Sequence, residues 1–191
     1  MLQQSDIIVI GGGIIGLAIT RKLCMSGLRV TLLEQSRTGR GASWAAAGML
    51  APHCEFDKPN PYFDLCRAGL NCYASFIKEL KEETNSSIDY NTTGMIYTAL
   101  NNKEQARLED RYEQHYLRGI RVEKLSTREA RRLEPNLSNK VHMALRYPAD
   151  HQVENRDVIS ALTQSVKLHG GMIREGVTVQ NIVFDLSLIH I

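Results

Sequence analysis

Long hydrophobic runs are missing from this chain. No apolar stretch approaches the ~20 residues that a membrane-spanning helix needs, so no such span is expected. The opening residues carry no basic n-region, and the first apolar run begins almost at once, so no secretory signal is read there. Cysteine is sparse and unpatterned: Cys24, Cys54, Cys66 and Cys72 form no C-x-x-C pair. Free thiols in a reducing, cytoplasmic setting are therefore expected, with no disulfide framework and no metal site. An excess of one charge is lacking too, since 23 Lys and Arg face 21 Asp and Glu for a net +2. That balance selects no partner. Arg128, Arg131 and Arg132 fall on a short Glu-containing helical stretch and read as a solvated face, so no nucleic-acid partner is expected. There is no internal repeat and no low-complexity tract. What remains is a 191-residue chain of ordinary globular composition, long enough for one or two domains with a real core.

The most informative stretch is DIIVIGGGIIGLAITRKL, answered by VTLLE. Ile7, Ile8, Val9 and Ile10 stop at three glycines, a helical pattern follows, and a second apolar run ends on Glu34. Gly11, Gly13 and Gly16 have G-x-G-x-x-G spacing. In a β-turn-α-β unit the first glycine makes the tight turn and the second admits a pyrophosphate to the backbone. The third lets helix and strand pack closely, and the helix N-terminus faces the anion. Glu34, 18 residues after Gly16, is placed to accept from ribose hydroxyls. A glycine-rich turn in an ordinary α/β unit explains the turn but not the acid.

Further along, the spacing predicts a helix over 14–26 closed by Gly27, with Leu17, Leu23 and Cys24 facing inward, and a strand over 29–33. Arg37 and Arg40 in the following loop are open between phosphate approach and solvation. The run GASWAAAGMLAPH is open between an Ala-rich helical turn, which Ser43 would cap, and a backbone kept bare to lie against something flat. Asn60-Pro61 opens a long helix to about Glu83, with Leu65, Ala68/Gly69, Cys72, Phe76 and Leu80 at helical spacing. Strands are predicted over 88–90, 94–100, 121–125 and 141–147, and a charged helix over 102–118. Ser126 and Glu129 form a capping-box pattern for another helix. An amphipathic helix over 155–169 ends at Gly170-Gly171, and strands follow over 172–174 and 177–184. The order βαβ, mixed elements, αββ describes a doubly wound domain interrupted by an α+β insertion.

At IVIGGGIIGLAI, VTLLE and GASWAAAGMLAP the chain resembles the FAD-dependent D-amino-acid oxidase superfamily, in particular the glycine oxidases of bacterial thiamine biosynthesis. SWAAAGMLAP is far more specific than the glycine fingerprint, and PADHQVENRDVISAL is similar to that family's return into the flavin domain. The resemblance covers residues 6–184, the N-terminal half of such enzymes, and LSLIHI after Asp185 reads as a non-native tail. It implies an FAD/NAD(P)-binding Rossmann-like fold. The expected segments are 1–83 and 151–185 for the FAD domain, 84–150 for part of the substrate domain, and 186–191 for the tail.

The resemblance also implies roles. Gly11, Gly13, Ile14, Ile15 and Gly16 would hold the FAD pyrophosphate, and Glu34 and Gln35 the adenosine ribose. Ala42 and Ser43 would reach the phosphates. Ala47, Gly48 and Met49 would line the flavin ring, and Val179 would sit by the adenine. His53 stays open between a substrate-facing group and a surface-loop histidine. The implied activity is oxidation of glycine or another small amine or D-amino acid to the imine by hydride transfer to flavin N5, with O2 reduced to H2O2. The alternatives are a sarcosine oxidase, a quinone-linked D-amino-acid dehydrogenase or an inactive nucleotide-binding fragment; a nicotinamide-dependent dehydrogenase is disfavoured by AAAGM. The implied partners are the small-molecule substrate and O2, with a homo-oligomer left open. No catalytic residue is assigned: Arg146 and Tyr147 read as members of a sheet in the insertion.

Overall fold

Consecutive β-branched residues form the first strand, β1 (Ile7–Ile10), and the glycine turn leads straight into α1 (Ile14–Met25) and β2 (Val30–Leu33). Next come α2 (Ala42–Ala45), β3 (Met49–Leu50), α3 (Pro52–Glu55), α4 (Pro61–Thr84), β4 (Tyr90–Asn91), β5 (Met95–Ala99) and α5 (Asn102–Leu117). The chain continues through β6 (Glu123–Leu125), α6 (Thr127–Leu133), β7 (Met143–Tyr147), β8 (His151–Val153), α7 (Asn155–Leu168) and β9 (Met172–Arg174). These are features of a computed structural model that describes residues 4–58 and 60–183. Two compact units result: Met1–Ala47, Leu80–Ser87 and Asn155–Ile191 form the first, Gly48–Glu79 and Ile88–Glu154 the second. Residues 48–79 thus group with the insertion and not, as the expected boundary at 83 has it, with the glycine-turn unit.

In the first unit, three parallel strands lie in the order β1–β2–β9. Ile7 pairs with Val30 and Ile10 with Leu33, while Thr31 pairs with Met172. Helices α1 and α7 pack together, burying Leu17, Val158, Leu162 and Val166 completely. A helix stripe of this kind gains roughly 25 cal/mol per Å² of apolar surface removed from water, which holds both helices to the sheet. Gly27, at φ 83°, closes α1 as its C-terminal glycine, a conformation that costs other residues a Cβ clash.

Polar groups tie the same unit together. Arg21 is almost wholly buried in α1 and donates to Glu83 (2.7 Å) and to Ser165 Oγ (2.9 Å); Ser165 Oγ also donates to Glu83, and His169 bonds the same carboxylate. Burial opposes the Glu83 charge, but the bonds from Arg21 and Ser165 outweigh it and hold the carboxyl below its ordinary pKa. A carboxyl depressed in the folded state contributes stability that is present above its unfolded pKa and lost as pH falls through the folded one. Glu83→Ala removes the carboxylate from beside the buried guanidinium and is expected to cost about 3 kcal/mol. Chemical denaturation at pH 7 checks this, and a midpoint equal to that of wild type would contradict it.

The second unit holds two antiparallel sheets, ordered β3–β8–β4 and β5–β7–β6. Its core is Ala51, Cys54, Ala99, Leu108, Met143, Leu145 and Tyr147, with Tyr112 and Val122 packed against it. Tyr147 is fully buried and its hydroxyl bonds His115 Nδ1 at 3.1 Å, so Tyr147 and Arg146 belong to β7, as expected. The Ser126–Glu129 capping box forms as the sequence pattern requires.

Three expectations need correction. The buried stripe of α4 is Phe63, Leu70, Ile77 and Leu80, whereas Leu65 is 68% exposed and Cys72 is exposed. Both stripes have helical spacing, and the larger apolar side chains won the interior. The strand over 177–184 does not form among its described residues, and Phe184 lies outside them. Val177 donates instead to the Glu34 carbonyl (2.9 Å) and continues as irregular chain; β-branched composition without a ladder partner does not make a strand. Ser43 does not cap α2, whose N-cap is Gly41. The proposed tail 186–191 also lies outside the described residues.

Candidate functional site

The glycine turn gathers most of the predicted residues in the first unit. Gly11 takes φ 103°, which only glycine adopts freely, and its N–H donates to the Leu33 carbonyl (2.8 Å), fastening the turn to the end of β2. A side chain on Gly16 would collide with the Gly11 carbonyl oxygen, so the third glycine is required by helix-to-turn packing. Ser43 Oγ accepts from the Ile14 N–H (3.0 Å). The N–H groups of Gly13, Ile15 and Gly16 find no acceptor among the described residues. These are donors at the positive end of a helix, so the turn presents an anion site built from backbone.

Glu34 stands beside it. Its Oε2 accepts from the Gly12 N–H at 2.7 Å and its Oε1 from the Ser36 N–H at 2.9 Å. The Ser36 and Gly12 amides hold the carboxyl below its ordinary pKa, so it is ionised at neutral pH and retains lone pairs for further donors. Gln35 and Ala42 are exposed on the same unit. Val179 is half-buried in the segment that Val177 anchors to the Glu34 carbonyl.

Sequence reasoning missed two supports. The Asn155 side-chain amide at the start of α7 donates to the Ser43 and Trp44 carbonyls and pins the α2 turn. Arg40 does not reach toward the glycine turn as a free cation; its guanidinium stacks 3.7 Å from the Trp44 ring centre, with Arg156 5.0 Å away. No spacing rule announces the Asn155 or Arg156 contact, because each joins segments more than a hundred residues apart only after folding.

Ala47 ends the first unit and is exposed. Gly48 and Met49 open the second. Gly48 has φ 69°, and a side chain there would strike the Val153 carbonyl oxygen. The bare backbone at Gly48 therefore serves strand packing in the first place. Met49 is 48% exposed on β3. His53 is not a surface-loop side chain: it is 13% exposed and bonds Asp150.

A model of the FAD dependent oxidoreductase family matches residues 6–187. The chain belongs to this family. It is 33% identical over 190 residues to a glycine oxidase of Geobacillus kaustophilus, covering 98% of this chain and 50% of that protein. It is 37% identical over 184 residues to the bifunctional protein ThiO/ThiG of Synechocystis, covering 95% of this chain and 26% of that one. The crystal structure of the G. kaustophilus glycine oxidase superposes with a TM-score of 0.85 at 32% identity, over 90% of this chain and 46% of that one. The chain thus spans about half the length of these glycine oxidases. The family's fold is the α/β, Rossmann-like one that the parallel β1–β2–β9 sheet displays, and its cofactor is FAD. The groups present fit such a nucleotide: open helix-terminal amides for a pyrophosphate and an ionised carboxylate for hydroxyl donors. Among the described residues no helix is long and apolar enough to cross a membrane, and no cluster of His, Cys, Asp and Glu has metal-binding geometry.

Proposed function

We propose that this chain carries the ADP-binding part of an FAD-dependent oxidase of glycine or a similarly small amine, serving the thiazole branch of thiamine biosynthesis. The carrying observation is the set of unused amides of Gly13, Ile15 and Gly16 beside the ionised Glu34. In this reading the pyrophosphate takes the Gly13–Gly16 amides, with Ile14 bonded through Ser43, and Ala42 and Ser43 border the phosphates. Glu34 and Gln35 receive the ribose, Val179 borders the adenine, and Ala47, Gly48 and Met49 meet the flavin ring. Bound FAD supplies the hydride acceptor, and O2 restores it with release of H2O2. The substrate class rests on the likeness to glycine oxidases, whose named activity is oxidation of glycine.

The test uses protein expressed from the complete gene. It should purify yellow and release peroxide with glycine. Glycine, sarcosine and D-alanine compared side by side rank the substrates, and activity with a quinone but not with O2 moves the reading to a dehydrogenase. Colourless protein that FAD cannot reconstitute defeats it. Glu34→Ala is expected to weaken FAD binding about 10- to 100-fold, the worth of a hydrogen bond to a charged group. Titration of FAD-stripped protein, followed by flavin fluorescence, measures this, and an unchanged Kd removes Glu34 from the ribose.

A further inference from the structure

In the first unit, a side chain 112 residues away in sequence is tied to the Ser43 turn. Helix α2 has four residues and no side-chain cap. It is too short to hold its own shape, since a first turn of helix fixes several dihedrals for a single bond. Asn155 holds it instead. That residue opens α7 and is 7% exposed. Its Nδ2 donates to the Ser43 carbonyl and, at 3.3 Å, to the Trp44 carbonyl. Two neighbouring carbonyls call for one neutral group with two N–H donors, which a side-chain amide supplies; a carboxylate of the same shape would set lone pair against lone pair. Helix α7 is a fixed post. Val158 and Leu162 are completely buried, and Ile159 packs so closely on Gly39 that a Cβ there would strike its Cγ2. The Gly39 N–H in turn donates to the Gly12 carbonyl (2.8 Å), so α7 braces the loop beside the glycine turn at two points.

Ser43 connects that post to the anion site. Its Oγ accepts from the Ile14 N–H (3.0 Å) and lies close to Gly13, where a Cβ would stand 3.1 Å from it. An oxygen that accepts from an amide keeps its own O–H to donate. Here that O–H belongs to the same cradle as the Gly13 and Ile15 amides, a further donor for the same anion. A serine hydroxyl rotates freely, and its place depends on what fixes the backbone beneath it. Resting on the reading of this unit as an FAD site, we propose that Asn155 is a positioning residue for the pyrophosphate. By gripping the Ser43 carbonyl it keeps the Ser43 hydroxyl on the Ile14 amide and free to donate to the phosphates. Asn155 itself touches no cofactor atom in this role. It acts by preorganisation: the donors stand in place before the nucleotide arrives, so binding does not have to order them.

FAD-stripped protein from the complete gene, titrated with FAD, tests this at a temperature where circular dichroism shows every variant folded. Under that condition a residue that only stabilises the unit leaves Kd unchanged. Asn155→Ala and Ser43→Ala should each weaken FAD binding about 10-fold, the worth of a hydrogen bond to a charged group. Asn155→Asp should bind more weakly than Asn155→Ala, because its carboxylate repels both carbonyls; the alanine variant keeps the test readable where that repulsion prevents folding. The double variant Ser43→Ala/Asn155→Ala should lie within about threefold of Ser43→Ala alone, since Asn155 acts through that hydroxyl. Amide spectra of 15N-labelled stripped protein give a readout without cofactor. In Asn155→Ala the Ile14 amide proton should shift toward its unbonded position, while the Leu17 amide, bonded to the Gly13 carbonyl at 2.9 Å, stays in place. An Asn155→Ala Kd within about twofold of wild type, single effects that multiply to about 100-fold in the double variant, or an unmoved Ile14 resonance overturns the proposal while leaving the FAD reading intact. Wild-type stripped protein that takes up no FAD defeats the FAD reading first, and this proposal with it.

Discussion

Gly16→Ala is expected to give protein that purifies without flavin and melts well below wild type. The added methyl would fall on the Gly11 carbonyl oxygen, a backbone atom that no rotamer change can move aside. Gly11 cannot yield, because its N–H is bonded to Leu33 at the end of β2 and its φ of 103° already fixes the turn. Helix α1 must therefore shift away from β1. That opens the α1–α7 packing around Leu17 and displaces the Gly13 and Ile15 amides from the anion site. Overpacking against rigid neighbours costs about 1–3 kcal/mol. Displaced amides should lower FAD affinity more than 100-fold, since preorganisation is most of what a backbone anion site offers. Gly27→Ala is the control: it has open space but φ 83°, so it should cost about 1 kcal/mol and leave flavin binding intact. Flavin absorbance per mole of protein, with a thermal melt, reads both effects. A yellow Gly16→Ala protein at wild-type stoichiometry would show that the close approach is dispensable.

Gly16 also shows what was legible beforehand. Strand, turn, helix and acid were readable because each rests on local rules: apolar runs, glycine spacing and a terminal carboxylate. Capping at Ser126 was readable for the same reason. Contacts that depend on register between distant segments were not. Asp150 meets His53 only because β3 pairs with β8, and both strands are too short to show a period of two. Asn155 reaches the Ser43 carbonyl only once α7 has docked beside α2. Apolar residues of α4 occupy two stripes, and propensity does not say which stripe meets a neighbour. Residues 177–183 show the limit of β-propensity, as a favourable composition remained irregular where no ladder was available.

Gly48→Ala should separate two explanations of the small-residue run. The resemblance explains Gly48 by flavin approach, which predicts normal folding and impaired cofactor binding when a methyl is added. The structure gives Gly48 a task that needs no cofactor. Its φ is 69°, its carbonyl accepts from the Val153 N–H at 2.9 Å, and a Cβ would overlap the Val153 carbonyl oxygen. Strain at positive φ and a clash between backbones both act on the start of the β3–β8 ladder, whose register also brings Asp150 to His53. The expected cost is about 3 kcal/mol, a fall of roughly 6–12 °C in Tm for a chain of this size. Because the clash lies wholly within the second unit, the loss should be equal in FAD-stripped and FAD-loaded protein. A Gly48→Ala protein that is as stable as wild type when stripped, and altered only in its flavin spectrum, would return this glycine to the cofactor alone.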